Sequence, residues 1–229
     1  NLMNELSSDY LVIAIDLPGH GKSEVLEEEH TMELMADAVN AVVESLGFDK
    51  FTLIGHSMGG YVTLEYLSKY PKKLKSYCLF HSTPFADTED KKIERQRIIE
   101  LIKQGKKEQL AKNHVEKTFS PANVAKFQPQ INELVKIATN NSNEGIIRAL
   151  KMMMNRKNHH QTMLESEKPC LWIQGLIDNF IALEVVTKAN KPNNCLVKFL
   201  KDSGHQGYIE ELDNTVAILR EFFVKGSIC

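Results

Sequence analysis

A chain of 229 residues with 42% apolar and 25% charged side chains can build one sizeable core, or a core carrying an insertion, and lies far from disordered and fibrous compositions. Its 28 basic and 30 acidic side chains leave a formal net charge of -2, which excludes the strong basic field that gathers nucleic acid or an anionic membrane; the expected partner is a small molecule. No apolar run approaches the roughly 20 residues that span a bilayer, and Asn1-Leu2-Met3-Asn4-Glu5 lacks the basic and apolar parts of a signal peptide, so a soluble, cytoplasmic protein is expected.

In chain order, Tyr10-Leu-Val-Ile-Ala-Ile-Asp16 is a short apolar, β-branched run stopped by Pro18-Gly19-His20-Gly21, and it reads as a strand buried on both faces. Met32, Met35, Val39, Val42, Val43 and Leu46 recur at helical spacing, with Thr31 as N-cap and Gly47 just past the end. The next strand, Phe51 to Gly55, runs into Ser57 and a helix from about Met58 to Lys69 that stops before Pro71. Further strands are expected at Ser76 to His81, Cys170 to Gln174 and Leu196 to Leu200, with helices near Leu183 to Asn190 and Glu210 to Val224. This alternation predicts an α/β fold, a mostly parallel sheet covered by helices on both faces.

Between His81 and Cys170 no convincing strand occurs. Periodic Ile, Leu and Met in Lys92 to Ile102, Asn132 to Ala138 and Gly145 to Met154 predict a helical cap over 86–167, inserted into a core of 1–85 and 168–229. The four cysteines, Cys78, Cys170, Cys195 and Cys229, are scattered, three of them in strand-like segments, so neither a disulfide nor a metal site is expected of them. No cofactor is expected either.

The segment richest in chemistry is Gly55-His56-Ser57-Met58-Gly59. A serine hydroxyl is a weak nucleophile at neutral pH and needs both a base and a turn that lifts its oxygen clear of neighbouring side chains. Strand, tight turn and helix supply the turn, and small residues are expected two before and two after the serine, where backbones crowd. The helix begins at the serine, so its dipole and the free N–H of Met58 point at any oxyanion formed there. The base is expected late in the chain, in Asp202-Ser203-Gly204-His205-Gln206-Gly207, which makes His205 the candidate. Its carboxylate partner should precede it, and Asp178, just past a strand end, is favoured over Asp202 and Asp87. Gly21-Lys22-Ser23 imitates the end of a phosphate loop, but the position that needs its first glycine is Asp16, so a tight glycine loop is expected there instead.

Taken together, Asp16-Leu-Pro-Gly-His-Gly-Lys-Ser23, Gly55-His-Ser-Met-Gly-Gly60, a helical insertion, Gly175-x-x-Asp178 and Ser203-Gly-His205 make a chain that resembles the α/β-hydrolase superfamily, its serine-nucleophile esterase and lactonase branch with a helical cap. The resemblance covers nearly the whole chain outside the insertion. It implies a hydrolase of a carboxylic ester, lactone or thioester working through Ser57, His205 and Asp178 by way of an acyl-enzyme, with the insertion shaping the substrate pocket. Elimination or carbon–carbon bond hydrolysis by the same three residues, and a non-catalytic binding module, are the alternatives. A serine at position 57 argues against the epoxide hydrolases and haloalkane dehalogenases of that superfamily, which carry a carboxylate there. The superfamily also has three early strands that find no counterpart here, one of them placed by the resemblance between the Tyr10 and Phe51 strands, and a loop after an earlier strand, ahead of the segment equivalent to Tyr10 to Asp16, that carries a second oxyanion donor; the expectation is a fragment of a longer protein.

Overall fold

The computed structural model describes residues 1–225. Its sheet has four parallel strands in the order β1 (Phe51–His56), β2 (Leu74–Phe80), β3 (Cys170–Gly175) and β4 (Cys195–Leu200), so neighbours in sequence are neighbours in space. Each parallel step needs a crossover, and most of the remaining chain supplies these. Helices α1 (Leu2–Leu6) and α2 (Met32–Ser45) precede the sheet, and α3 (Met58–Lys69) joins β1 to β2. Between β2 and β3 run α4 (Glu89–Lys103), α5 (Lys107–Thr118), α6 (Gln128–Asn140), α7 (Asn143–Met154) and α8 (His160–Glu165). Helix α9 (Leu183–Lys188) links β3 to β4, and α10 (Gly207–Glu210) and α11 (Leu212–Lys225) follow.

The sequence accounts for the caps of α2 directly. The Thr31 side chain accepts from Leu34 N–H at 3.1 Å, and Gly47, with φ +74°, turns the chain out of the helix. Its buried Met32, Met35, Ala36, Val39 and Val43 meet Val62, Leu64 and Tyr66 of α3 on one face of the sheet. On the other face Val216, Leu219 and Phe222 of α11, with Leu6, cover Cys78, Phe80, Leu171 and Ile173. Strand β3 is buried along its whole length, as expected of a strand covered on both faces. Cys78, Cys170 and Cys195 are free thiols, and Cys229 lies outside the described residues.

One expected strand is absent. Residues 10–16 form no regular element and belong to no sheet, and Leu11 and Ile13 are 75% and 42% exposed. Tyr10 and Val12 pack toward the α11 face while Ile15 and Leu17 pack toward the α2 face, so the side chains divide as a strand's would. What is missing among the described residues is a neighbour to complete the hydrogen-bond ladder, and hydropathy carries no information about that neighbour. The loop that follows does close as a glycine turn. Asp16 Oδ2 accepts from Lys22 N–H at 2.9 Å, its carbonyl accepts from Ser23 Oγ at 2.7 Å, and a side chain on Gly21 would strike the Asp16 carboxylate.

The two ends of the run of five helices between β2 and β3 are tied to each other and to α3. Asp87, entering it, accepts from Arg95 Nε at 2.6 Å and from Arg156 Nη1 at 2.5 Å, and Arg156 leaves it after α7. The Arg156 guanidinium lies 3.9 Å from the ring centroid of Tyr61 on α3, and His159 Nε2 is 2.7 Å from Glu65 Oε2 on the same helix. Burial would raise the Asp87 pKa, but the two guanidinium groups more than offset it and hold the carboxyl below its usual range. A folded-state pKa below the unfolded one gives stability that is complete above about pH 4 and is lost as pH falls through the folded value. Asp87→Ala leaves two largely buried guanidinium groups unpaired and is expected to lower stability by about 3–5 kcal/mol. Urea denaturation with an unchanged midpoint would refute this.

Candidate active site

The carboxyl ends of the four strands gather the polar side chains, where parallel sheets commonly place their sites. Strand β1 ends in the turn Gly55 to Gly59, in which Ser57 adopts φ 51° and ψ −116°. A non-glycine residue in that region costs on the order of 1–3 kcal/mol and persists only when its surroundings enforce it. Here they do: Ser57 N–H donates to Phe80 O at 2.9 Å, and the Ser57 carbonyl accepts from Ser82 Oγ at 2.8 Å and Gly60 N–H at 3.0 Å. Met58 is the first residue of α3, so its N–H has no acceptor within the helix.

The crowding in this turn differs in detail from the sequence expectation. A Cβ on Gly55 would collide with the Gly59 carbonyl and Thr63 Oγ1, and one on Gly60 with Ser82, whereas one on Gly59 would meet nothing within 4 Å. Gly59 contributes its backbone to the close approach; the positions that exclude a side chain are 55 and 60.

Asp178 follows β3 and its carboxylate is fully buried. Oδ1 accepts from Phe180 N–H at 2.8 Å and Ile181 N–H at 3.0 Å. Oδ2 lies 2.8 Å from His205 Nδ1, 3.0 Å from His81 Nδ1 and 3.0 Å from Gln174 Nε2. Burial opposes the charge, but the bonds from His205 and His81 prevail and hold the carboxyl far below the usual range. An ionised carboxylate only accepts, so both imidazoles present Nδ1–H to it. His205 Nε2 is thereby left with its lone pair.

His56 links this cluster to the serine turn. Its Nε2 is 2.8 Å from the His205 carbonyl, which can only accept, so His56 carries its proton on Nε2. Burial first, then His205 and His81, push the His56 pKa well below the ordinary histidine value. No hydrogen bond joins Ser57 Oγ to His205 in this structure, a contact that in resting enzymes is often long. The competing acids are engaged elsewhere: Asp87 in its arginine clamp, and Asp202 exposed, with its N–H on Glu211 Oε2 at 2.9 Å. His81, Asp178 and His205 also offer three ligand atoms within 4.8 Å of one another, an arrangement in which a cation would have to displace the two Nδ1 protons.

Two contributors escape sequence reasoning. Glu210, buried in α10, accepts at Oε1 from Gly204 N–H (2.9 Å) and Gln206 N–H (3.3 Å) on either side of His205, and at Oε2 from Ser120 N–H (2.8 Å) and Asn123 Nδ2 (2.9 Å). With His205 N–H donating to Thr118 O at 2.6 Å, this fastens the end of α5 to the histidine loop. The second is His81, which the sequence marks only as the end of a strand. Its place at a strand's carboxyl end is the signal that would have found it.

The sequence model described as alpha/beta hydrolase fold matches residues 1–212. An esterase from Thermogutta terrifontis is 25% identical and superposes with a TM-score of 0.92 over 98% of this chain and 84% of its own. An esterase from Exiguobacterium antarcticum, 21% identical, has a TM-score of 0.86 over 96% of this chain and 84% of its own. The dihydrolipoyllysine-residue acetyltransferase component of the acetoin cleaving system of Pseudomonas putida is 25% identical over 208 residues, 90% of this chain and 54% of that protein. The chain thus spans about half the length of the curated relatives it matches first. No helix among the described residues is long and apolar enough to cross a membrane.

Gly55→Ala cannot be relieved by moving a side chain, since backbone opposes it, and is expected to destabilise by about 1–3 kcal/mol or more. Gly59→Ala, on an open helical face, is expected to be neutral or to stabilise by up to about 1 kcal/mol. Equal losses in thermal denaturation would contradict this account of the turn.

Proposed function

The chain belongs to the alpha/beta hydrolase fold family, and on that premise we propose that it hydrolyses a small carboxylic ester, lactone or thioester through Ser57, His205 and Asp178. The observation that carries the reading is the 2.8 Å bond between His205 Nδ1 and the buried Asp178 carboxylate. It fixes the imidazole tautomer with Nε2 bare, the form a general base requires.

In the first half-reaction Ser57 Oγ attacks the acyl carbonyl while His205 Nε2 takes its proton. The carbonyl oxygen becomes an oxyanion, received by the Met58 N–H at the start of α3, where the helix dipole adds to the attraction. The intermediate collapses, the leaving alcohol or thiol takes the proton from His205, and the acyl group remains on Ser57. Water then attacks the acyl carbonyl, again with His205 as base, and Ser57 recovers its proton as the acid departs. Asp178 orients the imidazole and balances the imidazolium throughout. The same reading keeps the expectation of a weakly charged acyl substrate, no cofactor and a cytoplasmic setting; the ester chemistry in it is supported by the esterase of like structure from Thermogutta terrifontis.

A fluorophosphonate probe is expected to label the protein once per chain and to leave Ser57→Ala unlabelled. Across p-nitrophenyl acetate, butyrate and octanoate, Ser57→Ala is expected to lower kcat by about 10⁴-fold or more. Turnover that survives in the variant would overturn the acyl-enzyme. Labelling without turnover of any ester would instead direct the same three residues to elimination or carbon–carbon bond hydrolysis.

A further inference from the structure

We propose that His81 is a positioning residue of this reaction: its Nδ1–H holds the Asp178 carboxylate and takes up part of the charge on the oxygen that also serves His205, restraining both the acid's orientation and its pull on the His205 proton. The proposal rests on the assignment of Asp178 and His205 as acid and base.

The geometry is costly unless it serves the carboxylate. His81 is fully buried and lies 3.0 Å from the same Asp178 oxygen that His205 approaches to 2.8 Å. Because Nδ1 donates there, Nε2 is bare in the neutral ring, and it is a buried nitrogen without a hydrogen-bond partner. Burial lowers the pKa of His81 against the opposing bond to Asp178, which keeps that neutral form. The backbone is strained as well, with φ 48°. Two glycines border the ring: a Cβ on Gly207 would stand 2.6 Å from His81 Nε2 and one on Gly175 2.9 Å from Cε1, with Leu200 Cδ1 and the Gly204 carbonyl closer still to those two positions.

Packing alone explains none of this, since an apolar side chain would fill the volume without an orphaned nitrogen. A weaker approach, Gly175 N–H to His81 Nδ1 at 3.3 Å, competes for the same atom but cannot satisfy an ionised carboxylate. A donor placed on the acid explains why a histidine with a bare Nε2 is kept in this buried and strained position. The other titratable groups facing the cluster are His56 from β1, Tyr208 from α10, Glu211 between α10 and α11, and His114 from α5.

The test is histidine ring-nitrogen NMR on the full chain, with His81→Phe and His81→Asn as variants, joined to the pH profile of kcat/KM for p-nitrophenyl acetate. In the unmodified protein His81 is expected as the Nδ1–H tautomer. In His81→Phe the freed oxygen binds the His205 proton more strongly, so the His205 titration midpoint rises by about half a unit to one unit. The acid limb of the rate profile moves with it, with little change in KM. Asn keeps an amide donor near the position of Nδ1 and tolerates positive φ, so His81→Asn is expected to restore both.

An Nε2–H tautomer in the unmodified protein overturns the proposal even if His81→Phe does not fold. So does an unmoved midpoint in folded His81→Phe, or a His81→Asn displaced as far as His81→Phe. The NMR midpoint needs no turnover, which separates the two ideas. A shifted midpoint in a protein that hydrolyses no ester sinks the hydrolysis and upholds the role of His81 toward the pair, whereas Ser57-dependent turnover with no shift sinks only the role of His81.

Discussion

The Asp178 carboxylate is the group around which the ends of the strands are arranged. Buried without partners it would be driven to its neutral form, and the cluster of histidines would lose the charge that orients it. Instead it has five donors within 3.0 Å, from its own loop, from Gln174 on β3, from the end of β2 and from the loop after β4. These donors come from segments far apart in sequence. Away from water the charge is therefore kept only where the folded sheet brings these donors together.

A second tier of polar contacts connects this centre to the helices inserted between β2 and β3. Glu210 accepts from amides on both sides of His205 and from Ser120 and Asn123 after α5. At the opposite boundary of the insertion, Arg156 reaches back to Asp87 and lies over Tyr61. Phe180 adds an aromatic link, 5.2 Å from the His205 ring and 4.8 Å from His114 of α5. The insertion is thus joined to the histidine loop and to α3 by groups that are largely buried, and a shift in it would be felt at His205.

Local signals in the sequence carried much of this. The bounds of α3, the caps of α2 and the parallel alternation follow from spacing and from residues that act on their immediate neighbours. The serine turn was legible for the same reason, although which glycines are crowded depended on Ser82, a residue 22 positions beyond Gly60 in the chain. Helix α5, within the stretch expected to be helical, has no bounds legible in the sequence, because its polar residues bury only Val115 and Thr118, too few to mark a periodic face. The misread strand at 10–16 failed for a different cause: apolar content announces burial, but a strand exists by pairing, and pairing is a property of two segments. His81 and Glu210 belong to the same category, since each acquires meaning only from atoms nearly a hundred positions away or in a loop of no regular pattern.

The stretch at 10–16 couples burial to pairing. Leu11 and Ile13 are open to water there, and β1, the first strand of the sheet, is only partly buried over Phe51 to Ile54. An open ladder flanked by apolar side chains is a surface on which a further strand can pair, and the charges that bound this one in sequence, Asp9 and Asp16, are already engaged with Arg220 and with the glycine turn. Covering these side chains takes a further strand laid beside them, so the burial of Leu11 and Ile13 and the hydrogen bonding of their backbone are one requirement and not two.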